Sequence, residues 1–268
     1  MPRALLILAL VCGVAATSAQ TPAGPVVFEV ASVKVSTGDG PGAGWHSPPR
    51  GNVAITNAPL EAIISRAYLG TAFNRQYEFE APSNNTVLST RFDIVAKPPD
   101  DAAPGQTLAM LKNLLADRFK LRVHTETRQV PVYALTAPRD GQPGGSLRRS
   151  TQECELSSVI QGLADSSVDV AGRNVCRQTA TADAGMRVLG GTGPIALIVE
   201  ALRRSSDRPV IDATGLAGIY DWQLRFPFAP GVDAMLMAVE DQLGLIVERR
   251  TGPVAVLIVD SVEMPTPD

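Results

Sequence analysis

Hydrophobic positions along this chain follow two rhythms. Alternation with a period of two marks strands at Val26 to Val35, Arg91 to Lys97, Lys120 to Thr127, Val130 to Thr136, Pro209 to Asp212, Ile219 to Phe226, Leu245 to Arg250 and Val254 to Val262. The third and fourth of these lie close enough together to read as a hairpin, and so do the last two. A period near 3.6 marks helices. Leu60, Ile63, Ile64, Ala67 and Tyr68 make one apolar stripe, with Asn57 placed to cap the helix and Pro59 in its first turn. Leu108, Leu111, Leu114 and Leu115 make a second stripe between Gln106 and Arg118. Ile195, Ile198, Val199 and Leu202 make a third, in a helix starting near Thr192. A fourth helix is expected from about Val232 to Leu243.

The order of these elements repeats. Adding 124 to positions from Leu111 to Leu135 aligns Asp117 with Asp241, Leu121 with Leu245, Val123 with Val247, Val130 with Val254 and Val132 with Val256. Phe92-Asp93 matches Tyr220-Asp221 at an offset of 128, and Pro59-Leu60 matches Pro194-Ile195 at 135. The pattern predicts an α+β fold of two similar units, each strand-helix-strand-helix-hairpin, with helices packed on a mostly antiparallel sheet. The first unit is expected over residues 20–140 and the second over 186–268. The stretch 141–185 is poor in periodic hydrophobicity and reads as a loop-rich linker.

The N-terminus changes the picture. Arg3 precedes an unbroken apolar or small run from Ala4 to Ala16, and Thr17-Ser18-Ala19 offers the small residues that signal peptidase requires. Residues 1–19 therefore read as a signal peptide cut between Ala19 and Gln20, which implies a periplasmic or extracellular protein. The run is shorter than the roughly 20 apolar residues a spanning helix needs, so no membrane span is expected after cleavage. Cys12 leaves with the signal, and a bulky Val11 precedes it where a lipidation signal needs a small residue. Two cysteines remain, Cys154 and Cys176; an even count in an oxidising compartment points to one disulfide clipping the linker.

Net charge is −3, and removing Arg3 makes it −4. Such a chain has no electrostatic reason to bind nucleic acid. Catalytic motifs are missing: neither HExxH nor GxSxG occurs. The two histidines, His46 and His124, are far apart, and His124 alternates with Arg122, Glu126 and Arg128 on the outward face of a strand. Asp93 and Asp221 occupy matching places in the repeat and are the carboxylates a glycosidase would use, but they read more simply as structural strand residues. Asp212, in the IDATG turn, is placed to accept backbone N–H groups. Gly38 to Gly44 lacks dinucleotide-site spacing. Gly190 to Pro194 opens a helix without the Lys-Ser/Thr of a P-loop, so it reads as ordinary capping. Arg148-Arg149 and Arg203-Arg204 read as solvated basic pairs. No catalytic, metal or cofactor-binding residue is assigned, and no cofactor is expected.

Four stretches carry a family resemblance: FEVASVK (Phe28 to Lys34), RFDIVAKPP (Arg91 to Pro99), LLADRFKLRVHTETRQVPVYAL (Leu114 to Leu135), and the run from Arg208 through DQLGLIVERRTGPVAVLIVDSVEMPTP. Together they resemble a family of exported proteins of unknown function abundant in Acidobacteria. Some of its members carry this region as the outer domain of a BlaR-like membrane metallopeptidase. The resemblance implies no established activity and no catalytic residues. The expected function is a non-catalytic binding or interaction module of the cell envelope, acting on an unknown envelope protein or ligand. The competing expectation is a secreted hydrolase using Asp or Glu carboxylates.

Overall fold

A computed structural model of the chain describes residues 26–38, 44–46, 52–69, 77–100, 102, 106–138, 143–154, 176–228 and 231–265. The expected signal segment and its Ala19-Gln20 junction lie outside them. The described elements run β1 (Val30–Val35), β2 (Gly44–His46), β3 (Val53–Pro59), α1 (Leu60–Leu69), β4 (Phe79–Glu80), α2 (Thr86–Ser89), β5 (Arg91–Lys97), α3 (Thr107–Arg118) and β6 (Arg122–Thr136). There follow β7 (Leu147–Arg149), β8 (Arg177–Asp183), β9 (Met186–Gly193), α4 (Ile195–Arg203), β10 (Val210–Asp212), β11 (Tyr220–Pro227), α5 (Asp233–Ala238) with a π-helical turn (Val239–Leu243), and β12 (Ile246–Ser261). The class is mixed α+β with mostly antiparallel sheets.

Among the described residues there are three four-stranded sheets, ordered β1-β5-β3-β2, β10-β6-β12-β4 and β7-β11-β9-β8. The first forms a core with α1 and α3, centred on Ile55, Leu60, Ile63, Ile64, Phe92, Ile94, Leu111, Leu115 and Phe119. Phe92 and Phe119 meet edge to face with ring centres 4.9 Å apart, the arrangement the ring quadrupoles favour. The third sheet forms a second core with α4, α5 and the π-turn, centred on Leu189, Ile195, Ile198, Trp222, Leu224, Val239 and Leu243.

The middle sheet joins the two cores, and it corrects the hairpin expectation. Residues 122–136 form one uninterrupted strand, not two, and residues 246–261 form another. These long strands pair with each other, from Val123↔Val259 through Gln129↔Pro253 to Thr136↔Ile246. A two-residue hairpin needs positive φ in its turn; Arg128, Gln129 and Gly252 have none. Gly252 instead clears space, because a Cβ there would lie 2.9 Å from Val132 Cγ2. On one face of the pair, Val123, Leu257 and Val259 pack on the first core, while Tyr133, Leu135 and Val247 pack on the second. β4 adds in parallel beside Leu257, and β10 adds in parallel beside Tyr133.

Three further expectations change. Asn57 does not cap α1: it lies in β3 at φ 50, at the irregularity between Ile55 and Ala58. Asn tolerates this left-handed conformation better than most residues. β3 runs directly into the helix, and the Leu60 N–H is satisfied by the Thr90 carbonyl. Gly190 to Gly193 lie within β9, where a Cβ on Gly191 would come within 2.1 Å of the Arg177 carbonyl oxygen; these glycines admit a close neighbouring strand, and α4 starts only at Ile195. Residues 147–149 and 177–183, inside the stretch read as linker, are strands of the third sheet. Cys154 and Cys176 are joined in a disulfide, with Cα atoms 4.9 Å apart.

Candidate binding face

The middle sheet has a second face, opposite the two cores. Alternation along β6 and the register with β12 place His124, Glu126, Arg128 and Val130 there beside Ile258, Val256, Val254 and Gly252. Glu80, paired with Ile258, joins them from β4. The polar members form one chain of ion pairs. His124 Nδ1 lies 2.8 Å from Asp260 Oδ1, and its Nε2 lies 3.4 Å from Glu126 Oε1. Arg128 donates through Nε and Nη2 to Glu126 Oε2, at 3.1 and 3.0 Å, and through Nη1 to Glu80.

This arrangement shifts the titration of His124, Glu126 and Arg128. Hydrogen bonds to Glu126 and Asp260 raise the His124 pKa above its ordinary 6.5. Glu126 is held below its ordinary 4.5, chiefly by Arg128 and then by His124. Arg128 is raised by Glu80 and Glu126. Both imidazole nitrogens face carboxylates, so His124 acts as a bridge between anions and offers no free ring nitrogen to a substrate.

Beside this chain lies a shallow depression of about 200 Å³ lined by Tyr77, Phe79, Glu80, Arg128, Val130 and Val256. A smaller one of about 20 Å³ opens on the other side of Tyr77, lined by Glu78, Arg203, Ser206, Asp207, Arg208 and Pro209. The wall of this second depression includes an ion pair between buried Glu78 and half-buried Arg203. Glu78 is only 4% exposed, and its carbonyl accepts from Leu257 N–H at 2.8 Å. This pair ties the segment before β4, on the first core's side, to α4 of the second. Arg203 was expected to be solvated; it is the less exposed of its pair, while Arg204 stays at the surface beside Glu200.

The carboxylates singled out in the sequence do not gather at this face. Asp93 Oδ1 accepts the Asn57 N–H at 2.7 Å, pinning the left-handed residue in β3. Asp221 Oδ1 accepts from Thr192 Oγ1 at 2.6 Å, across to β9. Asp212 accepts from the N–H and hydroxyl of Thr214, closing its turn as expected. The His46 side chain lies outside the described residues. Arg148 and Arg149 are exposed. Among the described residues no group of three or more His, Cys, Asp or Glu is placed to hold a metal ion, and no helix is long and apolar enough to cross a membrane. The outward alternation of His124, Glu126 and Arg128 was readable in sequence. Glu80 and Asp260 were not, because they arrive from distant strands.

The fold and this face define a mixed α+β protein with a shallow surface across its central sheet, crossed by a chain of ion pairs. The chain belongs to the family described as Protein of unknown function (DUF3738), whose model matches residues 61–262. No curated protein and no solved structure matches it.

Proposed function

We propose that this is an exported protein, cut between Ala19 and Gln20, that works as a non-catalytic binding module of the cell envelope built from two copies of one unit. The apolar N-terminal run and the Cys154–Cys176 disulfide support the compartment. The duplication draws support from the register of the long strands. Gln129 pairs with Pro253, which is the residue 124 positions further on, so one two-fold axis passes through that pair. About it, Thr125↔Leu257 becomes Tyr133↔Arg249, and β4 beside Leu257 becomes β10 beside Tyr133.

The observation that carries the binding reading is the ion-paired outer face of the middle sheet. The carboxylate that lines its depression, Glu80, is engaged by Arg128, and along the same face Glu126 is engaged by Arg128 and Asp260 by His124. Hydrolysis by carboxylates needs one held protonated and another open to the substrate. A partner surface needs only complementary charges around an apolar contact, which the half-buried Tyr77, Phe79 and Val130 supply. To test this, a photo-reactive residue replaces Tyr77 or, as a control on the outer face of the first sheet, Ser32, in the protein expressed in its own host. Discrete cross-linked envelope species from position 77 and none from position 32 are expected. Equal labelling at both positions, or a hydrolytic activity abolished by Glu80→Gln, overturns the reading.

A further inference from the structure

Sheet edges are where one chain can pair with another, and most proteins blunt them with lysine, proline, bulges or short length. Among the described residues the edge strands are β1, β2, β4, β7, β8 and β10. Four of these have two or three residues. β8 is the longest, at seven, with the sequence RQTATAD. It holds no Lys, Pro or Gly. Its register with β9 runs through seven consecutive residue pairs without a bulge, from Arg177↔Thr192 to Asp183↔Met186. All but Gln178 of its residues are exposed, and no described strand pairs with its outer edge.

The side chains of β8 are self-complementary. If two copies pair antiparallel about Ala180, Arg177 falls opposite the other copy's Asp183, Thr179 opposite Thr181, and Gln178 opposite Ala182, in both directions. Opposite charges and Thr–Thr are the cross-strand pairs that stabilise a sheet. Arg177, Thr179, Thr181 and Asp183 share one face by alternation, which is the outward one, since Ala180 on the other face pairs with buried Leu189. All four favourable pairs therefore line a single surface. Asp183 can serve two cations: Arg225 holds Oδ2 at 2.6 Å, and a carboxylate accepts through both oxygens.

We propose that β8 is a self-association edge, through which two copies of this chain join their third sheets into one continuous eight-stranded sheet about a two-fold axis at Ala180. This contact is separate from the ion-paired face of the middle sheet and does not depend on its role. Seven residues of strand pairing bury well under the roughly 1,000 Å² of a stable interface, so the dimer is weak, with a dissociation constant of order 0.1 mM.

The test is a charge swap read by sedimentation equilibrium on the mature chain. Arg177→Asp places like charges opposite each other twice, and so does Asp183→Arg. Each variant alone is expected to self-associate at least about tenfold more weakly than the wild type, since two pairs change sign. Mixed together, the two variants restore both attractive pairs, and the mixture is expected to associate within about threefold of the wild type. Ala180→Cys adds a register readout: its copies oxidise to an intermolecular disulfide, while Ser32→Cys on the first sheet does not. A wild type that stays monomeric at about 1 mM overturns the proposal. So does a dimer indifferent to both swaps, or a mixture no stronger than its components. Circular dichroism of each variant separates lost pairing from lost folding.

Discussion

The two cores solve one packing problem with different means. In the first, the helix covering the sheet is a regular α3 of 12 residues ending at Arg118. In the second, α5 has 6 residues and the chain continues through a π-turn to Leu243. Both helices lead into a left-handed residue followed by a buried leucine: Lys120 at φ 50 before Leu121, and Gly244 at φ 66 before Leu245. The difference is what passes over that corner. At Gly244 another backbone crosses, with Gly144 N–H donating to the Leu243 carbonyl at 2.8 Å. A Cβ on Gly244 would lie 2.4 Å from Gly144 N. At Lys120 nothing comparable is described, and a side chain is tolerated. The conformation comes from the corner, and the demand for glycine comes from the crossing.

The largest effect expected tests whether the two cores melt as one. Phe92→Ala empties a fully buried site in the first core and should cost about 4 kcal/mol, read as a urea midpoint. Because β6 and β12 run through both cores, a single transition should shift; two separated transitions would break the picture of a shared middle sheet. Next is the covalent tie, found among the described residues only on the second core's side. Reducing Cys154–Cys176, which are 22 residues apart, should cost about 3 kcal/mol in the chain-entropy model. Intact protein should run two daltons below its all-thiol mass. Gly244→Ala should cost about 2–3 kcal/mol, from strain and overpacking together, while Lys120→Gly should stabilise by about 0.5–1 kcal/mol. Equal effects at the two corners would refute the account of the crossing.

The smallest effect separates the two ends of the middle sheet. His124 bridges carboxylates near one end, and Glu248 with Arg250 forms an ion pair near the other, without a histidine. With its folded pKa raised, His124 contributes stability that is fully present below 6.5 and lost as pH rises through the raised value. With its folded pKa lowered, Glu126 contributes stability present above 4.5 and lost as pH falls through the lowered value. An NMR titration should place His124 above 6.5, and Glu126→Gln or Asp260→Asn should each bring it down. A value unmoved by either change would dissolve the bridge.

What the sequence disclosed follows from where the information is stored. Helix α1 was legible because Leu60, Ile63, Ile64 and Ala67 repeat locally, and all four are buried. β5 was legible to the residue because its burial alternates strictly. The pairing of β6 with β12 was hidden, since it joins segments more than a hundred residues apart and nothing local distinguishes a long strand from a tight hairpin. β8 was hidden for the opposite reason: an edge strand with no buried side shows no alternation of polarity. The candidate face was half visible, with β6 showing its charges but not their partners.

The interlocked middle sheet also has a consequence for how the molecule is made. A chain emerges from the ribosome in order, and β12 is the last of the described elements to emerge. Until it arrives, the first core lacks Leu257, Val259 and Val262, although all its other strands and helices already exist. The earlier half must wait, with its apolar face uncovered, for β12 to close it. Folding is therefore a late event that depends on contacts of very long sequence separation, which makes it slow. During that interval the nascent chain is open to chaperones and to aggregation alike.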